Sequence, residues 1–126
     1  MPAEQQRTPG IWLTIGDLAE RRADPDGAPT GAWLYEQLRE RRLVVIQDGD
    51  SLLVPGFMVT ADGEPRPELR PLLNELRAAG MNGRMMATWL SSPSSLLSGQ
   101  VPEQVARTAL ARATEAAARF AALNEA

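Results

Sequence analysis

Cysteine, histidine and lysine are all absent from this chain of 126 residues. Without cysteine there is no disulfide and no thiolate-held metal. Without histidine the usual general base and the usual metal ligand are gone, and with them every Ser-His or Cys-His arrangement. The remaining carboxylates form no pair that stands out from a solvated surface, and neither a phosphate-binding loop nor a dinucleotide-type glycine pattern occurs. These absences point to a protein that is not an enzyme and uses no metal or cofactor. Long apolar runs are missing too; none approaches the roughly 20 residues that a membrane helix needs. The stretch Met1–Gly10 is polar, with Pro2 and Pro9 and no signal-type hydrophobic core. A cytoplasmic location without a membrane partner is therefore expected.

All thirteen basic residues are arginine. A GC-rich coding sequence accounts for that without any function; guanidinium forks for phosphate are the functional alternative, and they need arginines in suitable places. Apolar residues make up 44% and charged residues 23%, an ordinary globular balance rather than a disordered one. A chain of this length buries roughly two-thirds of its unfolded surface, enough to fold without staples.

The fold class expected is mainly α with a small β-hairpin wing. Residues 1–10 read as a flexible tail, 11–60 as a winged helix-turn-helix and 61–126 as a helical partner-binding domain. Ile11 to Thr14 lead into a first helix, with Thr14 and Asp17 set three apart as a capping pair. Ala23-Asp24-Pro25-Asp26-Gly27 is a strong turn. A second helix runs from about Pro29 to Arg41, with Gly31, Leu34 and Leu38 inward and Trp33, Gln37 and Arg41 on the opposite face. Leu43–Gln47 and Ser51–Pro55 flank Asp48-Gly49-Asp50 as a hairpin, and Phe57-Met58-Val59 is a candidate third strand. The expected core of this region is Leu18, Leu34, Leu38, Leu43, Val45 and Leu53.

Beyond residue 65 the pattern is helical. Pro67 to Ala79 carries Leu69, Leu72, Leu73 and Leu76, with Pro71 placing the regular start nearer Arg70 and Gly80 as a stop. Asn82 caps a helix through about Leu90, Ser91–Ser95 breaks it, and a last helix spans Pro102 to about Leu123. In that helix the many alanines fit either close packing or a dimer or partner surface. Met81, Met85 and Met86 read as core filling.

The string from Leu13 to Glu20, the stretch Leu34 to Val44 and the hairpin ending Val54-Pro55 resemble the winged helix-turn-helix of excisionase and MerR-type proteins. The resemblance implies that the second helix enters the major groove and the wing meets the backbone. Carried onto this sequence, it places Thr30 at the start of the recognition helix and Trp33, Gln37 and Arg41 toward the groove. It places Arg42 on phosphate and Gln47 and Ser51 on the wing. Trp33 also admits a core reading. Residues 11–60 hold five arginines against eight acids, so the module must concentrate its arginines to bind nucleic acid. Arg39, Arg41 and Arg42 do cluster, although a helix C-terminus favours cations with or without DNA.

A second string, Trp89-Leu90-Ser91-Ser92-Pro93 through Leu97, Gly99 and Pro102, resembles the signature of the Xre/MbcA/ParS toxin-binding domain of type II antitoxins. It implies a partner-binding role for Trp89, Leu90, Pro93, Leu97, Gly99 and Pro102. Physically, Pro93 ends one helix, Gly99 permits a tight reversal and Pro102 starts the next. Together these stretches resemble a family of actinobacterial winged helix-turn-helix DNA-binding proteins with such a C-terminal domain. Double-stranded DNA is the partner this implies, for a transcriptional regulator. The alternative is an antitoxin or adaptor holding a toxin-like protein, or a second copy of the chain, through its C-terminal helices.

Overall fold

The computed structural model describes residues 12–24 and 28–124; the expected tail over residues 1–10 lies outside them. Among the described residues the chain is mainly helical, with six α-helices and a small three-stranded antiparallel sheet. It divides into two compact units between Arg66 and Pro67.

In the N-terminal unit β1 (Trp12–Leu13) leads into α1 (Ile15–Arg21). Thr14 is extended; its hydroxyl accepts from the Asp17 N–H at 3.1 Å while Asp17 accepts from the Thr14 N–H at 3.0 Å, a complete capping box. α1 buries Leu18 and Ala19. Helix α2 (Ala28–Arg39) follows, then β2 (Ile46–Asp48) and β3 (Ser51–Pro55). β3 is the central strand: Trp12 and Leu13 pair with Pro55 and Val54 on one side, and Ile46, Gln47 and Asp48 pair with Leu53, Leu52 and Ser51 on the other. Two helices across a turn and then a hairpin give the winged helix-turn-helix order.

Several local expectations are corrected. The lead-in before Thr14 is a strand, too short to show a period of its own. β2 begins only at Ile46; Leu43 and Val44 are buried ahead of it, outside the ladder. Phe57-Met58-Val59 is not a third strand: Gly56–Met58 is a 3-10 turn, and Val59 makes a single bridge to Pro65. The core holds Leu18, Leu34 and Leu43 as expected, but Leu38, Val45 and Leu53 are half-buried, and Leu13, Val54 and Met58 fill the interior instead. Arg66 is buried, its Nη1 donating to the Phe57 carbonyl at 2.7 Å.

In the C-terminal unit a 3-10 turn (Pro67–Leu69) opens into α3 (Arg70–Ala78), so Pro71 falls in the first turn, where its missing N–H costs nothing. Leu69, Leu72, Leu73 and Leu76 are all buried. The Asn82 side chain caps α4 (Gly83–Leu90) by accepting from the Met85 N–H at 2.8 Å. A 3-10 turn (Ser95–Leu97) precedes α5 (Pro102–Thr108) and α6 (Leu110–Asn124). The single last helix expected from Pro102 is thus two helices, broken at Ala109 (φ −144°, ψ 67°). No glycine or proline marks that break. α6 packs on α3 and α5 through Ala113, Ala116, Ala117 and Ala121, whose small side chains let the helices approach closely. Met81 and Met86 are buried, whereas Met85 is exposed. Among the described residues no helix is long and apolar enough to cross a membrane.

Candidate nucleic-acid interface

The α1–α2 turn sets the rotation of α2. α1 ends with Ala23 in the left-handed region (φ 58°); the Ala23 N–H reaches the Glu20 carbonyl and the Asp24 N–H the Ala19 carbonyl. This Schellman-type closure aims the Asp24 carboxylate at α2, where Oδ2 accepts from the Thr30 N–H at 2.8 Å and from its hydroxyl at 2.6 Å. Thr30 is consequently only 1% exposed. The inward stripe is therefore Thr30, Leu34 and Gln37, at helical spacing.

That stripe corrects the expected orientation of the recognition helix. Thr30 and Gln37 face the interior, Gln37 being 7% exposed with its Oε1 buried and lacking a hydrogen-bond partner among the described residues. Trp33 is half-buried beneath the Arg22 guanidinium, 3.8 Å from its ring centroid. Arg22 in turn holds Glu64 at 2.6 Å and Arg21 donates to the Thr60 carbonyl, so both arginines closing α1 bind the 60–64 turn. Gly63 permits that approach: its φ is +81°, and a Cβ there would lie 2.6 Å from the Arg22 Cγ.

The outward face consists of Ala32, Tyr35, Glu36 and Arg39. Tyr35 is 74% exposed. Arg39 Nη2 donates to both carboxylate oxygens of Glu36, at 2.9 and 3.0 Å. Beyond the helix end Arg41 is exposed at φ 63°, with its N–H on the Leu38 carbonyl and the Arg42 N–H on that of Gln37. This is the same closure as at α1, again without glycine. Arg42 is exposed and pairs with Glu40 at 3.0 Å. On the wing, Gln47 and Ser51 are exposed near the Gly49 turn, and Gln47 Nε2 donates to the Gly49 carbonyl. Of the residues expected at this interface, the structure leaves Arg39, Arg41, Arg42, Gln47 and Ser51 at the surface and withdraws Thr30 and Gln37.

Sequence reasoning missed Tyr35 as a surface group. The signal that could have found it is the Asp24–Thr30 pair. In this chain the Asp24 carboxylate holds the Thr30 N–H and hydroxyl in the first turn of α2, and with Thr30 inward Leu34 and Gln37 follow at helical spacing.

In the C-terminal unit four of the six motif residues are buried. Trp89 is buried and stacks on Phe120 with centroids 5.0 Å apart and an interplanar angle of 15°. Leu90, Leu97 and Pro102 are buried as well; Pro93 and Gly99 are exposed. Gly99 sits at φ +85°, the left-handed conformation its place in the reversal called for. Trp89 thus contributes little surface of its own to a partner. Arg112 closes the reversal, donating to Gln100 Oε1 at 2.6 Å and to the Leu97 carbonyl at 3.3 Å. Large apolar side chains that are exposed in this unit include Met85, Leu110 and Leu123.

No family model and no curated protein sequence matches the chain. A solved structure does: the NMR structure of Rv2175c, at 23% identity and a TM-score of 0.66, over 88% of this chain and 81% of that one. The similarity supports the fold, a mainly helical chain with a small antiparallel wing.

Proposed function

We propose that the chain is a non-enzymatic, sequence-specific DNA-binding protein, a transcriptional regulator acting in the cytoplasm. The observation that carries this reading is the face of α2. The second helix of a helix-turn-helix presents Tyr35, Glu36 and Arg39 outward, with Arg41 and Arg42 at its end and an exposed hairpin next in the chain. That is the layout in which a helix reads base edges and a wing meets phosphate. The resemblance of Leu13–Glu20, Leu34–Val44 and Val54-Pro55 to winged helix-turn-helix DNA-binding proteins supports it further.

Charge limits how such a protein would bind. Residues 11–60 carry five arginines against eight acids, and Arg22, Arg39 and Arg42 each lie beside a glutamate, so the net gain from displacing counterions is modest. Non-specific affinity should be poor and the salt slope shallow, reflecting about three or four phosphate contacts per protomer. Duplexes selected from a random pool and titrated at several salt concentrations test this. Replacing Arg41 and Arg42 with alanine should weaken binding and flatten the slope by roughly one for every phosphate that is no longer neutralised. If no duplex binds better than ~10⁻⁴ M, the weak end of non-specific affinity, the DNA-binding reading fails. The second reading, a module that holds a protein partner or a second copy of itself, would then rest on the exposed Met85, Leu110 and Leu123.

A further inference from the structure

The Glu36–Arg39 pair is the feature of the outward face that general nucleic-acid attraction does not explain. Tyr35, Glu36, Leu38 and Arg39 line a shallow depression there. The two charged side chains are 54% and 76% exposed, so holding them together contributes little stability and opening them costs little. A carboxylate on a DNA-facing helix repels phosphate, which makes its position beside the outward arginine a disadvantage for non-specific binding.

The chemistry of both groups matches base edges. A guanidinium forks onto O6 and N7 of guanine, and a carboxylate accepts from the N4 amine of cytosine. Three residues along a helix advance about 4.5 Å, comparable to the roughly 3.4 Å between base pairs. The two side chains can therefore reach neighbouring pairs in one major groove. We infer that Glu36 and Arg39 form a base-reading pair that is closed on itself in the free protein and opens on a guanine and a cytosine at neighbouring base pairs. The inference rests on the DNA-binding reading above.

On such a step each member exchanges its partner for a base edge, and no charge is left alone. On any other step, releasing Arg39 strands the Glu36 carboxylate in the groove, and leaving the pair closed forgoes both base edges. Glu36 then lowers affinity for wrong sequences more than it raises affinity for the right one. It acts as a specificity determinant.

The test compares wild type with Glu36→Gln on the best selected duplex, on single-base variants of it and on a random duplex. Glu20→Gln, an exposed carboxylate on α1, serves as the charge-matched control. Glu36→Gln should tighten binding to the random duplex and reduce the preference for the selected one by about tenfold or more, the scale of one good base contact. The loss of discrimination should fall on one cytosine. Equal shifts on all duplexes, as the control should give, would overturn the inference and leave a merely solvated pair. Failure of the wild type to prefer any duplex would instead remove the DNA-binding reading, a result visible before any variant is made.

Discussion

Helices α2, of 12 residues, and α3, of 9, belong to different units, and they reach the same end by different means. α3 buries Leu72, Leu73 and Leu76, and its chain turns away through Gly80 at φ +82°, with the Gly80 N–H on the Arg77 carbonyl and the Met81 N–H on that of Leu76. α2 buries Thr30, Leu34 and Gln37 and turns away through Arg41, an arginine held in a conformation that favours glycine. One helix is fixed by apolar burial and a glycine exit, the other by a carboxylate cap at its start and a strained exit at its end. A helix whose inward face is largely polar is oriented by its caps, so its outward face is set by Asp24 as much as by leucine.

The largest expected effect is leucine truncation at positions where the two helices differ in burial. Leu76→Ala should cost ~2–5 kcal/mol, as for other fully buried leucines. Leu38→Ala, at a half-buried position of α2, should cost about 1 kcal/mol. Chemical denaturation followed by circular dichroism measures both, and equal losses would show that α2 packs as α3 does.

A middle-sized effect sits at Gln37. Its buried, partnerless Oε1 carries a desolvation penalty, so Gln37→Leu should raise stability by about 1 kcal/mol. A loss of similar size in the same assay would mean that the amide holds α2 in place.

The smallest effect concerns the exit. Arg41→Gly should relieve the left-handed strain and gain about 0.5 kcal/mol, net of the extra freedom glycine has when unfolded. The same substitution should weaken DNA binding, because it also removes an exposed cation. A stabilised variant with unchanged affinity would take Arg41 out of the interface.

How much could be read from residues alone follows the same contrast. The C-terminal unit was legible wherever leucines recur at helical spacing and a proline, asparagine or glycine punctuates them. The first-turn place of Pro71, the Asn82 cap and the left-handed Gly99 all follow from such signals. The break at Ala109 was not legible, because alanine carries no breaking signal and the alanines on either side suit one long helix. In the N-terminal unit the capping box at Thr14 and the hairpin around Gly49 were visible. The two-residue strand Trp12–Leu13 was too short to read. The rotation of α2 was misjudged because its apolar spacing allowed Leu38 inward, whereas the hydrogen bonds from Thr30 to Asp24 chose Gln37. The face expected to hold Trp33, Gln37 and Arg41 is thereby replaced at the surface of α2 by Tyr35, Glu36 and Arg39.

The central claim, that this rotated face of α2 meets DNA, is tested most directly by titrating the isotopically labelled full chain with a selected duplex and following amide shifts residue by residue. The largest changes should fall at Ala32, Tyr35, Glu36 and Arg39, with smaller ones at Gln47 and Ser51 on the wing. Changes confined to residues 67–124, or a spectrum unaltered by duplex at ~10⁻⁴ M, would contradict it.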